Sequence, residues 1–293
     1  MRLIKKKSIG LLLAVLLVAA LAGCSSEASG GKTVKLAYVA WDSEIASTYV
    51  VKEVLESKLG MTTEMLQVDA GPMWAGIADG SADAMVAAWL PGTHASYLEQ
   101  YGDKMEDLGP NLEGTKTGLA VPSYMDINSI EDLKNSELAG TLKSRIVGIE
   151  PGAGIMMSTE KAITDYGLSD YTLLESSSAA MVQELEKAYK NNEPIVVTAW
   201  TPHWMFANMD LKYLEDPKGV YGGAEQIHTM VRTGLAEDMP EVYHFLDQFN
   251  WTPDDMEQVM VDIANGQSPE DAAKSWVNAH EEQVNAWTAP VQE

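Results

Sequence analysis

Three apolar segments of the sequence end in the dipeptide Ala-Trp, and each is followed at once by residues typical of a turn or a helix start. The segments are YVAW, MVAAW and VVTAW, which end at Trp41, Trp89 and Trp200. A single tryptophan in this position more often caps the core. In open α/β sheets, however, ligands bind beyond the carboxyl ends of strands. The repeated context therefore predicts that the three indoles converge on one cleft.

A cluster of indoles is chemically suited to surrounding a quaternary ammonium group. Such a cation has no N–H to donate, so a protein holds it by cation–π attraction and apolar contact. Each indole face contributes roughly 0.5–2 kcal/mol. Three faces would supply about half of the roughly 8 kcal/mol that a micromolar dissociation constant requires. The remainder must come from contacts to another part of the ligand.

That other part is predicted to be a carboxylate. The segment EPGAGI, residues 150–155, lies between a predicted strand and a predicted helix. Free N–H groups at a helix start favour an anion, and glycines allow close approach of the backbone. Taken alone, this segment is more typical of a plain tight turn than of an anion site. His94, five residues after Trp89, is a second candidate donor.

The rest of the chain alternates predicted strands with predicted helices, which is typical of an α/β fold with helices on both faces of a sheet. The predicted strands are Val34–Trp41, Thr62–Val68, Asp83–Trp89, Gly118–Val121, Ile146–Ile149, Pro194–Trp200 and His228–Arg232. The predicted helices are Ile45–Leu59, Met73–Asp79, one opening at Ile130–Leu133, Met156–Tyr166, Ala179–Lys190, Pro240–Phe249, Pro253–Asn265 and Pro269–Trp287, the last with a break. The five tryptophans assigned to helical stretches, and to packing, are Trp74, Trp204, Trp251, Trp276 and Trp287.

Composition narrows the classes of function. The 293 residues carry a formal net charge of −23, which disfavours nucleic acid as a partner because phosphate binding needs a basic surface. A single Cys excludes a disulfide framework and any multi-cysteine metal site. The 5 His are scattered and form no HExxH motif, so we expect neither a metal nor a cofactor.

The N-terminal residues predict export. A basic start precedes an apolar stretch, Ile9–Ala22, which is too short to span a bilayer and is typical of a signal peptide over residues 1–23. The sequence LAGC, ending at Cys24, resembles a bacterial lipobox, in which the Cys becomes lipid-modified. The alternative is an ordinary signal peptide followed by a lone thiol. Residues 24–32 then form a flexible tether, so we expect an extracytoplasmic protein held to the outer membrane face by lipid.

From about Val34 to the C-terminus the sequence is similar to the glycine betaine-binding lipoproteins of Gram-positive osmoprotectant ABC importers. The motifs that carry this resemblance are YVAWDSEIAST, GPMW, AWLPGTH, GLAVPSYM, NSIEDLK, GIEPGAGIM, ESSSAAM, TAWTPHWMF and LKYLEDPK. Members of that family are circularly permuted relative to one another. In this chain the YVAW segment comes first and the GIEPGAG segment lies in the middle.

The resemblance implies a two-lobed type II periplasmic-binding-protein fold, with the ligand cleft between α/β lobes joined by two crossing strands. One lobe would be residues 33–121 plus 228–293 and the other residues 122–227, with crossings near Gly118–Pro122 and Ile227–Arg232. By the family's pattern, the trimethylammonium cage would be Trp41, Trp89 and Trp200. The carboxylate would be held by the amides of Gly154 and Ile155 and by His94.

The resemblance also implies the partners. The protein would capture glycine betaine, with proline betaine as a further ligand, and deliver it to a membrane permease with a cytoplasmic ATPase. It would be a monomer and not an enzyme. A choline receptor of the same fold is the closest alternative, because Asp42 and Glu44 follow Trp41 and choline needs no anion site. A hydrolase using Ser176–Ser178 and His203 lacks a GxSxG motif, and a lipid-anchored adhesin would leave the three tryptophans unexplained.

Overall fold

The structure is a computed structural model that describes residues 32–290. The predicted signal peptide, Cys24 and all of the tether except Lys32 lie outside the described residues. Within residues 32–290, no helix is both long enough and apolar enough to cross a membrane.

The described residues form a nine-stranded mixed sheet in the order β2-β1-β3-β9-β4-β7-β5-β6, with β8 paired to β4. The strands are β1 (Thr33–Tyr38), β2 (Thr62–Gln67), β3 (Ala84–Leu90), β4 (Met105–Pro122), β5 (Arg145–Val147), β6 (Thr172–Leu174), β7 (Val197–Thr201), β8 (Leu211–Tyr213) and β9 (Glu225–Arg232). Strand β1 pairs in parallel with β2 and β3, and β5 pairs in parallel with β6 and β7. Strands β4 and β9 pair antiparallel with each other and with their other neighbours. The alternating α/β pattern predicted from the sequence therefore produces a mixed sheet.

Helices cover the sheet, as expected for strands buried on both faces. They are α1 (Asp42–Ser57), α2 (Ala70–Asp79), α3 (Ala95–Tyr101), α4 (Ser136–Thr141), α5 (Gly154–Asp165), α6 (Ser178–Lys190), α7 (Trp204–Asn208), α8 (Leu235–Asp238), α9 (Pro240–Gln248), α10 (Pro253–Ala264), α11 (Pro269–Ala279) and α12 (Glu281–Trp287). Short 3₁₀ helices span Gly102–Lys104 and Ile130–Lys134. Strand β3, AMVAAWL, is apolar and buried at every position, which is typical of a strand covered on both faces.

The long strand β4 connects two parts of the sheet. Residues Met105–Thr115 pair with β9, whereas Lys116–Ala120 pair with β7. We call β1, β2, β3 and β9 the β1 half, and β5 to β8 the β7 half. The predicted crossing at Gly118–Pro122 lies within β4, and the predicted lobe boundaries remain a prediction.

The elements differ from the sequence predictions in several places, and the short strands β6 and β8 were not predicted. The predicted strand Gly118–Val121 is only the end of β4, because Gly109 and Gly114 have positive φ and interrupt the alternation at bulges in the pairing with β9. Trp41 lies beyond the end of β1, at the N-cap of α1. Trp251 was predicted to be helical, but it precedes Thr252, the N-cap of α10.

The aspartate before β3 ties three strands together. Asp83 accepts hydrogen bonds from the backbone N–H of Lys35 at 2.8 Å and from Nε of Arg232 at 2.6 Å. Both partners of this ion pair are mostly buried. Arg232 also pairs with Asp238 at 2.8 Å, but Asp238 is exposed, so removing Asp83 leaves Arg232 without its buried partner. The contact therefore contributes to holding β1, β3 and β9 in register.

We expect Asp83→Ala to lower the free energy of unfolding by about 2–3 kcal/mol, as measured by urea denaturation. Asp165→Ala is the matched control, because it breaks an exposed ion pair with Lys161 within one helix turn. That change should cost less than about 0.5 kcal/mol. Equal stability of the Asp83 and Asp165 variants would contradict the structural role of Asp83.

Candidate functional site

One cavity of about 290 Å³ lies where the two halves of the sheet meet. All six residues predicted from the sequence to bind a ligand lie around it. The full lining is Trp41, Ser43, Trp89, Thr93, His94, Thr117, Ile149, Ala153, Gly154, Ile155 and Trp200. Eleven residues enclose this space, and the cavity therefore suits a small molecule.

The three tryptophans reach the cavity from different elements. Trp41 occupies the N-cap position of α1, Trp89 is the penultimate residue of β3, and Trp200 lies near the end of β7. All three rings are buried. Strand ends from both halves of the sheet therefore contribute indoles to one apolar cavity.

Hydrogen bonds from their N–H groups fix the orientation of the three indoles. Trp89 Nε1 donates to Glu44 at 2.7 Å, Trp200 Nε1 donates to Ser43 Oγ at 3.1 Å, and Trp41 Nε1 donates to Glu150. With each N–H occupied by an acceptor, the rings offer the cavity apolar and π-electron surface. Such surface attracts a cation without N–H groups.

His94 provides a neutral hydrogen-bond donor in the cavity lining. Its Nδ1 accepts a hydrogen bond from the backbone N–H of Trp89 at 3.0 Å, so the ring proton lies on Nε2. Burial lowers the pKa of His94 to about 3, and the imidazole is neutral at physiological pH. Nε2 is buried and has no hydrogen-bond partner among the described residues. A buried donor without a partner is costly, and a ligand acceptor would relieve that cost.

The start of helix α5 provides two more donors. Ala153 is the N-cap, so the N–H groups of Gly154 and Ile155 belong to the first turn and have no intrahelical partner. Both residues line the cavity, as His94 does. Three N–H donors therefore share the cavity with three indoles, an arrangement that matches a ligand with a cation and an anion.

The loop that carries His94 is held in place by Glu225 at the start of β9. The backbone N–H groups of Gly92 and Thr93 donate to Glu225 Oε1 at 2.6 and 2.7 Å. Thr93 Oγ1 also donates to this carboxylate. Sequence reasoning missed Glu225 because it lies more than 130 residues from the loop.

Asp42, next to the cavity residue Trp41, connects α1 to α6 and α7. It accepts hydrogen bonds from Ser178 Oγ and Trp204 Nε1, both at 2.8 Å, and Nε2 of His203 lies 3.5 Å away. Burial alone would raise the pKa of Asp42, but His203, Trp204 and Ser178 lower it to about 2. Asp42 is therefore an anion stabilised by donors from α6 and α7.

The serine triplet has structural roles. Ser176 Oγ donates to the carbonyl of Gly148, Ser177 caps α6, and Ser178 donates to Asp42. None of the three hydroxyls hydrogen-bonds His203 in the described part of the chain. Residues 32–290 also contain no group of three or more His, Cys, Asp or Glu side chains that could hold a metal ion.

The fold and the cavity define the chain as a solute-binding protein of the type II periplasmic-binding-protein class. The Borrelia burgdorferi glycine betaine/L-proline-binding protein ProX has this fold and superposes with a TM-score of 0.84 at 37% identity, over 89% of this chain and 97% of that one. The sequence model of a protein family, the substrate-binding domain of ABC-type glycine betaine transport systems, matches residues 32–279. The chain belongs to this family.

Individual relatives agree with that assignment. The chain is 51% identical to the glycine betaine/carnitine transport binding protein GbuC of Listeria monocytogenes over 53% of each sequence, so the alignment spans about half of that relative. Lactococcal OpuAC, solved in a closed conformation with glycine betaine, superposes with a TM-score of 0.83 at 48% identity, over 88% of this chain and 99% of that one. A choline-binding protein of an ABC transporter, solved with choline, has a TM-score of 0.80 at 28% identity, over 87% of this chain and 91% of that one.

Proposed function

We propose that this protein captures glycine betaine, with proline betaine as a further ligand, and delivers it to an ABC importer. The observation that carries the proposal is the pairing of three indoles with three N–H donors in one small cavity. The indoles of Trp41, Trp89 and Trp200 would surround the trimethylammonium group. His94 Nε2 and the amides of Gly154 and Ile155 would hold the carboxylate.

The ligand would be enclosed by closure of two lobes, residues 33–121 plus 228–293 and residues 122–227. Because each lobe contributes part of the site, a bound ligand favours the closed state over the open one. Contacts in line with this motion include Trp200 with Ser43, and Tyr97 Oη donating to the carbonyl of Gly152 at 2.7 Å. No covalent step is involved, so the protein is not an enzyme.

The cellular setting follows from the sequence. Lipid attachment at Cys24 and a tether over residues 24–32 would hold a monomeric binding protein at the outer face of the membrane. There it would meet the importer's permease, which works with a cytoplasmic ATPase. The family to which the chain belongs serves ABC-type transport, in agreement with this role.

Titration of the purified protein, followed by tryptophan fluorescence, tests the ligand. We expect saturation with glycine betaine, a weaker response to choline and none with glycine, because glycine lacks the methyl groups that the indoles would contact. A response to choline alone would assign the protein to choline capture instead. The absence of a fluorescence change with all three ligands would contradict the proposal.

His94→Asn separates the two quaternary amines. The Asn oxygen can replace Nδ1 as the acceptor for Trp89, but the Asn NH₂ branches directly from Cγ and does not extend to the position of the Nε2 donor. We expect glycine betaine affinity to fall about tenfold or more, since a hydrogen bond to a charged group contributes about 1.5–3 kcal/mol. Choline affinity should not change. Equal losses for both ligands would show that His94 does not contact the carboxylate.

A further inference from the structure

Glu44 holds two of the three cavity tryptophans, although it does not line the cavity itself. It lies in the first turn of α1 and is completely buried. One carboxylate oxygen accepts the Trp89 indole N–H at 2.7 Å, and the other accepts the hydroxyl of Ser43. Ser43 Oγ in turn accepts the Trp200 indole N–H at 3.1 Å. The carboxylate is therefore directly behind the apolar cage.

The negative charge of Glu44 has no positive partner in the part of the chain that the structure describes. None of the ion pairs among residues 32–290 includes Glu44. Burial raises the pKa of Glu44 to about 7 and Asp42 adds to the shift, while hydrogen bonds from Ser43 and Trp89 oppose it. A buried carboxylate without a cation is costly to the fold. A glutamine could accept the same indole N–H without that cost.

We propose, resting on the function proposed above, that Glu44 is the buried counter-charge of the ligand's quaternary ammonium and acts through Trp89 and Ser43. Negative charge hydrogen-bonded to an indole N–H increases the electron density of the ring that faces the cation. It also supplies a direct Coulomb attraction in a site of low dielectric constant. Glu44 is thus a positioning and specificity residue that favours cationic ligands over neutral ligands of the same shape.

Binding is then linked to the ionisation of Glu44. The ligand's positive charge is permanent, so it selects the ionised carboxylate, and affinity falls with the ionised fraction as the pH drops below about 7. The other titratable groups around the cavity are Asp42, His94, Glu150, His203 and Glu225, the last of which holds the Thr93 loop. The pKa values of Asp42 and His94, about 2 and 3, keep their charge constant above about pH 5. Burial raises the pKa of Glu150, which accepts from Trp41, so that residue needs its own control.

The test compares glycine betaine with 3,3-dimethylbutanoate, in which carbon replaces nitrogen and the positive charge is absent. For the wild-type protein we expect betaine affinity to fall about tenfold from about pH 8 to about pH 6, without a matching fall for 3,3-dimethylbutanoate. Glu44→Gln should weaken betaine and choline about tenfold at about pH 8 and flatten the betaine pH profile. It should not weaken 3,3-dimethylbutanoate, whose only charge is its carboxylate. The ligand-free variant should also have a higher Tm at that pH, because an unpaired buried charge is gone.

Matched variants make the outcome decisive. Glu53→Gln, on the same helix, should change neither affinity nor the pH profile. Equal losses for betaine and 3,3-dimethylbutanoate in Glu44→Gln would show that Glu44 only orients rings and would overturn the inference. A pH profile that persists in Glu44→Gln and vanishes in Glu150→Gln would overturn it too. Failure of the wild-type protein to bind betaine at any pH would instead contradict the proposed function.

Discussion

Replacing Gly154 with alanine is expected to lower glycine betaine affinity by at least about 100-fold while leaving the ligand-free protein folded. A Cβ at this position would lie 2.1 Å from the carbonyl oxygen of Thr93 and 2.6 Å from its Cγ2. Backbone atoms cannot yield as a flexible side chain can, and Glu225 holds the Thr93 loop from behind. The start of α5 would therefore be displaced from the cavity.

The magnitude follows from the contacts that this displacement would remove. The amides of Gly154 and Ile155 are the proposed carboxylate donors, and two hydrogen bonds to a charged group together contribute about 3 kcal/mol, or roughly 100-fold in affinity. The clash joins the start of α5 to the loop after β3, and the function proposed above assigns these two segments to different lobes. An open form would avoid it, so the Tm of the ligand-free protein should change little.

Gly140→Ala is the matched control for this prediction. Gly140 lies in helix α4, is exposed, and a Cβ added there would meet no atom within 4 Å. Its affinity should equal that of the wild type, measured by the same fluorescence titration. Near-wild-type affinity in Gly154→Ala would show that the Thr93 loop moves easily and that close contact here does not limit binding.

Trp200→Ala is expected to weaken glycine betaine and choline together, by about 30-fold. The change removes one cation–π face, which contributes up to about 2 kcal/mol in a desolvated site. It also removes the hydrogen bond from Trp200 to Ser43. Because both ligands carry a trimethylammonium group, both should lose affinity, unlike the selective loss expected for His94→Asn.

Trp200→Phe provides the graded comparison. Phenylalanine keeps a smaller aromatic face without the N–H, so its affinity should lie between those of wild type and Trp200→Ala. Circular dichroism and thermal melting of each variant would confirm that it folds, and calorimetry would measure binding without depending on tryptophan fluorescence. Unchanged betaine affinity in Trp200→Ala would rule out the proposed cage.

Local sequence context was sufficient to select the cavity residues that lie at the end of a strand or the start of a helix. Trp89 and Trp200 lie at the ends of apolar strands, and Gly154 and Ile155 begin a helix after a glycine-rich turn. These features depend on residues close in sequence, so the pattern reveals them. The same reasoning failed for β4, because Gly109, Pro110 and Gly114 resemble turn residues but occupy bulges in a long strand.

The supporting carboxylates could not be selected in this way. Each of them accepts a hydrogen bond from a residue far away in the sequence. The separations are 45 residues for Glu44 and Trp89, 109 for Glu150 and Trp41, and 132 for Glu225 and Thr93. In a chain with 43 acidic residues, nothing in the local pattern distinguishes these three from solvated surface charges. Trp204 was assigned to packing for the same reason, and its hydrogen bond to Asp42 spans 162 positions.

The sequence by itself therefore determined the α/β character of the fold, the apolar strands and the residue types suited to a quaternary ammonium and a carboxylate, because these depend on short-range periodicity and side-chain chemistry. Only the tertiary structure decided that Glu44 is buried without a cationic partner, that His94 presents an unpaired Nε2 donor, and that Gly154 touches Thr93. The burial of a side chain and the identity of its hydrogen-bond partners depend on which distant segments come into contact. The order of the strands in the sheet determines those contacts. The effect that we infer for the Glu44 carboxylate on ligand affinity therefore depends on the folded structure and cannot be deduced from the local sequence.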